Sequence, residues 1–313
     1  MRKKCIDYIY TLAKKNSKVV FIGSDLSPNL LQKMKKKYPS RYYMEGISEG
    51  NLIGVATGLA LEGFIPYVNT IATFITRRCF EQIAVDVCLH NLPVRLIGNG
   101  GGLVYTPLGP THLAIEDIAI MRSLPNMTVV AASDEMEMSK LMEQTLSWKR
   151  PIYIRLAKGG DPIISNGKNF EIGKGIIYED SKSKTIDFLF ISTGIMTKTC
   201  IDVVQKLRNK GKNCAVLHIH TIKPLDEKLI LTYSKKANKI LVVEEHSIIG
   251  GLFSAVNDLI TQAYARKKIK KMPRMYNYGI PDEFPEGYGK QINLLKKFGL
   301  DEESILNTII KMD

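Results

Sequence analysis

Short apolar runs alternate with helical periods along most of this 313-residue chain, and this alternation constrains its fold more than any other feature. Runs of roughly four to eight apolar residues, each followed by a helix-period segment, pair as strands joined by crossover helices. VVFIGS (19–24), IPYVNT (65–70), VRLIGNG (94–100), MTVVAAS (127–133) and PIYIRLA (151–157) read as strands of a first unit. Helical periods fall between them near 50–62, 75–90, 113–123 and 134–147, and Ser133 followed by Asp134 and Glu135 makes a good helix start. The polar stretch KGGDPIISNGKNFEIGKG (158–175) breaks the rhythm. It resumes with strands IDFLFIST (186–193), CAVLHIH (214–220), KILVVEEH (239–246) and RMYNYG (274–279). Helices are predicted there near 197–210, 225–236 and 250–264, with two short ones near 290–299 and 302–312. The expectation is an α/β chain of two domains with mostly parallel sheets, at residues 1–160 and 175–313.

Composition supports this and narrows the function classes. Apolar residues make up 45% of the chain, enough for a core in each unit. No run of about 18 uncharged apolar residues occurs, so no membrane span is expected. The N-terminal MRKKCIDYIYTLAKKNSK reads as an amphipathic helix, not a signal peptide. Net charge is +13, from 44 basic and 31 acidic residues. A charge of this sign suits a nucleic acid or a phosphorylated substrate, and equally a lysine-rich proteome. The basic clusters KMKKKYPSR (33–41) and ARKKIKK (265–271) lack the interleaved aromatics of a single-strand binder, so no nucleic-acid partner is expected. Five scattered cysteines without a CxxC fit reduced thiols in a cytoplasmic protein, and no metal-ligand pattern is present.

In open α/β sheets, ligands sit beyond the carboxyl ends of the strands. Ser24 and Asp25, residues 70–74, and the glycine run GNGGGLVYTPLGPTH (98–112) all fall there. A glycine-rich loop after a strand lets a backbone approach a ligand, or is simply a flexible loop. His112 ends that run, either as a helix-start surface residue or as a donor at a pocket rim. Glu49 stands where a loop enters the small-residue helix NLIGVATGLALEG. On its own it is a carboxylate favoured by the helix dipole, just as Phe74 on its own is a core residue.

The order of the motifs carries a resemblance. SEGNLIGVATGLALEGFIPYVNTIATF, then RRCFEQIAVDV, then GPTH with AIEDIAIMRSLPNMTVVAASDEME, then PIYIRLAK, is similar to the pyrimidine-binding domain of the transketolase superfamily, including transketolases and deoxyxylulose-phosphate synthases. The second half, with LVVEEHSIIGGLFSAV (241–256), resembles their C-terminal domain. The resemblance implies a thiamine diphosphate enzyme. Gly46-Ile47-Ser48-Glu49 matches the motif whose glutamate hydrogen-bonds N1′ of the cofactor's aminopyrimidine and favours the tautomer that activates C2 of the thiazolium. Phe74 matches the aromatic packed against the pyrimidine ring. Asp25 matches an acid near the thiazolium end, and His112 a histidine that contacts substrate hydroxyls. Lys158 lies where relatives place a substrate-phosphate ligand, with Arg155 as a second candidate; Lys158 can equally be a plain surface lysine. Glu116 and Asp117 match an acidic pair read as structural as often as functional, and His246 is read as structural or interfacial.

The resemblance also shows what is missing and what departs. The family grips diphosphate and Mg²⁺ through a GDG motif followed about 25–30 residues later by Asn. This chain has no GDG, and residue 1 already falls in the first helix of the pyrimidine domain. An N-terminal partner subunit carrying GDG and the Mg²⁺ ligands is therefore implied, in a heterotetramer with two copies of each subunit. Transketolases carry an acid just before GPTH, where Leu108 stands here, and the histidine they place earlier in the loop aligns near Gly100. These changes in a hydroxyl-reading site imply a non-standard sugar or sugar phosphate. The expected reaction is transfer of a two-carbon ketol unit between sugars. The alternatives are another carboligase or decarboxylase (deoxyxylulose-phosphate synthase-like, or a 2-oxo acid dehydrogenase β subunit) and a non-catalytic partner.

Overall fold

The most apolar runs become the inner strands of two sheets. The computed structural model describes residues 1–313 except 27, 28, 30, 168, 182 and 313. Ser27 and Pro28 of the stretch after the first strand and Lys168 of the polar stretch thus lie outside the described residues. The strands are β1 (Val19–Gly23), β2 (Tyr42–Met44), β3 (Ile65–Ile71), β4 (Arg95–Asn99), β5 (Thr128–Ala131), β6 (Ile152–Leu156), β7 (Ile176–Glu179), β8 (Ile186–Ser192), β9 (Cys214–His218), β10 (Thr221–Lys223), β11 (Ala237–Ser247) and β12 (Arg274–Ile280). One sheet has the order β10-β5-β6-β4-β3-β1-β2, the other β12-β11-β8-β9-β7. All pairings are parallel except β10 with β5 and β7 with β9. Each residue of β1, β4, β6 and β9 is buried, as expected of parallel strands covered on both faces.

Three strands escape the sequence pattern. β2 and β10 have three residues each and β7 four, too short for a periodic signal. β10 belongs to the second half of the chain yet pairs antiparallel with β5, so the second half completes the edge of the first sheet.

The helices are α1 (Arg2–Lys15), α2 (Gln32–Lys37), α3 (Glu49–Leu61), α4 (Phe80–Gln82), α5 (Asp117–Ser123), α6 (Glu135–Thr145), α7 (Met196–Arg208), α8 (Glu227–Ser234), α9 (Leu252–Ala265), α10 (Gln291–Lys297) and α11 (Glu302–Ile310). α6 starts on Asp134, whose side chain accepts from the backbone N–H of Met136 and Glu137. The helix predicted over 113–123 begins only at Asp117. Residues before it are spent on a bridge, with Gly102 N–H donating to Ala114 O at 2.8 Å and Ala114 N–H returning to Gly102 O at 3.2 Å. The segment predicted near 75–90 is helical but widened, with π turns at Phe74–Arg78 and Ile83–Cys88 on either side of α4. Such turns accommodate an extra residue and recur where a helix must aim side chains at a site.

α3 buries Leu52, Ile53, Ala56 and Ala60 against the first sheet. Its other side carries Gly54, Gly58 and Leu61 outward, and a Cβ at either glycine meets no atom within 4 Å. Among the described residues no helix is long and apolar enough to cross a membrane. All five cysteines are buried and none is in a disulfide.

Candidate cofactor site

The loop after β2 turns into α3 at Glu49, whose side chain is only 2% exposed although it is a helix-start carboxylate. Small neighbours explain this: Gly46 takes the left-handed conformation (φ 72°), and Gly50 follows directly. Arg78 Nη1 donates to Glu49 Oε2 at 2.6 Å from the first π turn. The Cys79 thiol is pushed up to about 12, by burial first and then by the nearby charge of Glu49.

Phe74 opens the same π turn. Its ring meets the His112 imidazole edge-on, with centroids 5.1 Å apart and planes at 68°. The guanidinium carbon of Arg78 lies 4.5 Å from the Phe74 ring centroid. Glu49, Arg78, Phe74 and His112 therefore form one contiguous set drawn from α3, the widened helix and the GPTH turn. His112 ends a short 3-10 turn, Pro110–His112, and its Nδ1 lies 2.9 Å from Thr111 Oγ1. Leu108, in the 3-10 turn before it, is half exposed.

Of the other residues singled out in the sequence, Asp25 follows β1 and is exposed. Beside it, Ser24 Oγ donates to Thr70 Oγ1 at 2.9 Å across the carboxyl ends of β1 and β3. Asn99 Nδ2 donates to Asn69 Oδ1 at 2.7 Å and to Thr70 O at 2.9 Å. Asn69 Nδ2, Thr73 Oγ1 and Asn99 Oδ1 are left buried without a partner, an unusual concentration of unspent polar atoms at these strand ends. Lys158 follows β6 and is exposed.

Arg155, the second candidate for a substrate ligand, is not brought to this set. It sits within the buried strand β6, where its Nε donates to Asp117 Oδ2 at 2.8 Å and its Nη2 to Ala114 O and Glu245 O at 3.1 and 2.9 Å. Burial works to lower the guanidinium's pKa, but Asp117 outweighs it and holds the group charged. Glu116 pairs with Arg77, which also donates to Leu113 O at 2.9 Å. His246 is fully buried, accepting from Ala119 N–H at 3.2 Å through Nε2 and facing Ser247 O at 2.8 Å through Nδ1. Burial pushes its pKa down, so it joins α5 to β11 as a neutral ring.

The glycine run is a close-packed seam. A Cβ at Gly100 would lie 2.1 Å from the Tyr105 ring, one at Gly101 2.4 Å from Arg155 Nε, and one at Gly102 2.5 Å from the Glu245 carboxyl. Glu245 in turn accepts from Leu103 N–H at 3.0 Å and from Gln291 at 2.6 Å. The glycines thus let Tyr105 and Arg155 of the first half and Glu245 of the second press against the loop that carries His112.

The donor set fits half of a thiamine-type cofactor. A buried carboxylate and an aromatic ring that share one neighbour, Arg78, are what an aminopyrimidine needs, one for its ring nitrogen and one for its face. Among the described residues no group of three or more His, Cys, Asp or Glu side chains gathers to hold a metal ion.

Fold and site together define a transketolase-type pyrimidine-binding unit followed by its C-terminal companion, and the comparisons agree. Residues 1–160 match the transketolase pyrimidine-binding domain, and residues 180–305 the transketolase C-terminal domain. The chain belongs to the transketolase family. It is 34% identical over 315 aligned residues to the putative transketolase C-terminal section of Methanocaldococcus jannaschii, covering 99% of this chain and 95% of that one. It is 30% identical to the 6-deoxy-6-sulfo-D-fructose transketolase subunit SqwH of Clostridium sp. (strain MSTE9), with 98% and 92% covered. A solved structure described as "Split gene transketolase, inactive beta4 tetramer" superposes with a TM-score of 0.86 at 31% identity, covering 99% of this chain and 96% of that one.

Sequence reasoning passed over Arg78 and Glu245. RRCFEQIAVDV carries the resemblance, but nothing in it says which arginine faces Glu49; that depends on the π turn. Glu245 lies 142 residues from the Leu103 N–H it receives, a contact no local pattern reports.

Proposed function

We propose that this chain is the C-terminal subunit of a two-component, thiamine diphosphate-dependent transketolase that moves a two-carbon ketol unit between sugars. The observation that carries the reading is Glu49, a carboxylate shut away at the start of α3 and joined through Arg78 to the ring of Phe74. In this reading Glu49 takes the hydrogen bond of the aminopyrimidine N1′, and Phe74 supports the ring. When bound, thiamine diphosphate supplies the carbanion chemistry at its thiazolium C2. His112, at the rim beside Phe74, orients the sugar hydroxyls; Asp25 stands near the thiazolium end, and Lys158 meets an anionic end of the substrate.

The diphosphate and Mg²⁺ are assigned to an N-terminal partner subunit bearing a GDG motif, in an assembly of two copies of each subunit. Two findings on relatives support this: one is named as a subunit, and another is described as an inactive β4 tetramer. The outward face of α3, smooth at Gly54 and Gly58, suits close packing against another chain. A non-standard sugar is supported by Leu108, which offers no hydrogen bond to a substrate hydroxyl, and by the relative named for a sulfo-sugar. The two domains are taken as residues 1–160 and 175–313.

The test is calorimetry of thiamine diphosphate with Mg²⁺, on this chain alone and mixed with a GDG-bearing candidate partner. Tight binding confined to the mixture supports a split site. Tight binding by the chain alone removes the need for a partner, and no binding in either case leaves a non-catalytic role.

A further inference from the structure

Arg78 sets a planar cation against both groups that the proposed function assigns to the aminopyrimidine. Its Nη1 donates to Glu49 Oε2 at 2.6 Å, and its guanidinium carbon lies 4.5 Å from the Phe74 ring centroid. An aminopyrimidine protonated at N1′ is flat, carries positive charge, offers an N–H to a carboxylate and lays a face on an aromatic ring. A guanidinium has the same four attributes. Glu49 is 2% exposed and Arg78 50%, so the arginine is the layer between the carboxylate and solvent. The Phe74 ring also meets His112, which further narrows the room left around it. Arg77, the neighbouring arginine, is tied to Glu116 and to Leu113 O and is committed elsewhere.

We propose that Arg78 is a built-in placeholder: in the chain without cofactor its guanidinium occupies the position of the aminopyrimidine, and it must swing outward before the cofactor can bind. The inference rests on the reading of Glu49 and Phe74 as pyrimidine-binding residues. A buried carboxylate without a partner is costly, and the placeholder keeps Glu49 compensated until the ring arrives. The half-exposed side chain has solvent to move into, so the exchange needs a rotamer change and no backbone opening.

Two measurements on the full chain test it. The first is a double-mutant cycle in thermal unfolding with Arg78→Ala and Glu49→Gln, which needs no cofactor. Non-additive shifts in Tm are expected, and additive shifts would show that the pair does not form in solution and overturn the proposal. The second is calorimetry with thiamine, which keeps the aminopyrimidine and lacks the diphosphate. Arg78→Ala is expected to bind it about five- to tenfold tighter than the wild type, the scale of a half-exposed ion pair that no longer has to be broken. Added methylguanidinium should weaken binding to the alanine variant by refilling the vacated position. Equal or weaker binding by Arg78→Ala overturns the placeholder and leaves the cofactor reading intact. A coupled pair with no thiamine binding by any variant, alone or mixed with the GDG-bearing partner, overturns the cofactor reading, and the placeholder with it.

Discussion

Arg155 Nε donates to Asp117 Oδ2 at 2.8 Å inside the protein, and Tyr153 OH donates to the same oxygen at 2.7 Å. The guanidinium also reaches Glu245 O in the second half, so this pair fastens α5 and β6 to β11. Asp117→Ala would leave a buried arginine without its counter-charge. The expected loss is about 3–5 kcal/mol of unfolding free energy, measured by urea titration. Replacing both partners with apolar residues of similar size, Asp117→Leu with Arg155→Met, should recover most of it. A loss below about 1 kcal/mol in the single variant would mean that the pair contributes no more than a surface ion pair.

The glycines separate into two kinds, and alanine should act on them with opposite sign. At Gly102 the backbone is left-handed (φ 69°) and a Cβ would strike the Glu245 carboxyl, so Gly102→Ala should cost about 1–3 kcal/mol. Gly58 lies within α3 with open space around it, and Gly58→Ala should stabilise the isolated chain by up to about 1 kcal/mol. Denaturation of the two variants side by side checks the contrast. If Gly58→Ala also weakens assembly with a partner, that face of α3 is an interface.

The inner strands were legible because β1, β4, β6 and β9 are buried throughout and their apolar runs say so. The residues alone leave Glu49 as a helix-start carboxylate favoured by the dipole, and its burial beside Arg78 depends on a π turn that no local pattern reports. The buried pairing of Arg155 was not read, although its place within PIYIRLA, an otherwise apolar strand, was the available signal that its charge points inward. The glycine run showed only that its backbone is permissive. Its cause lies in Glu245 and Arg155, brought in by tertiary packing. β10 was invisible because three residues carry no period and its partner β5 lies far back along the chain.

A buried imidazole makes the junction between the halves sensitive to acid. His220 is fully buried, stacked on Phe170 at 4.1 Å, and its pKa is lowered to about 3, by burial first and then by His218. In the unfolded chain the same group titrates near 6.5. Between these values the unfolded chain binds a proton that the folded chain refuses, so stability is full above about pH 6.5 and falls as pH drops toward 3. The loss should reach about 2 kcal/mol by pH 5 and about 4–5 kcal/mol near pH 3. Glu137 adds to it below about pH 4.3: burial raises its pKa, but His218 outweighs this and holds it at about 2. Urea midpoints measured from pH 7 to pH 4.5 should slope downward, and His220→Phe should flatten the slope. An unchanged slope in that variant would assign the acid sensitivity to other groups.

The last prediction concerns Glu49. If its carboxylate takes the N1′ hydrogen bond, Glu49→Gln keeps the shape of the side chain and loses the group that exchanges the proton. Turnover by the complex with its partner should fall by about 10²–10⁴-fold, the range for removal of a positioned acid–base group. Assembly with the partner, followed by size-exclusion chromatography, should be unaffected, because the side chain is buried within this chain and faces Arg78. Glu49→Ala should be at least as severe, since it also leaves the Arg78 cation without its partner. Lost assembly would make Glu49 a structural residue of the interface. Intact assembly with unchanged turnover would place the chemistry elsewhere and leave the chain as a scaffold for its partner.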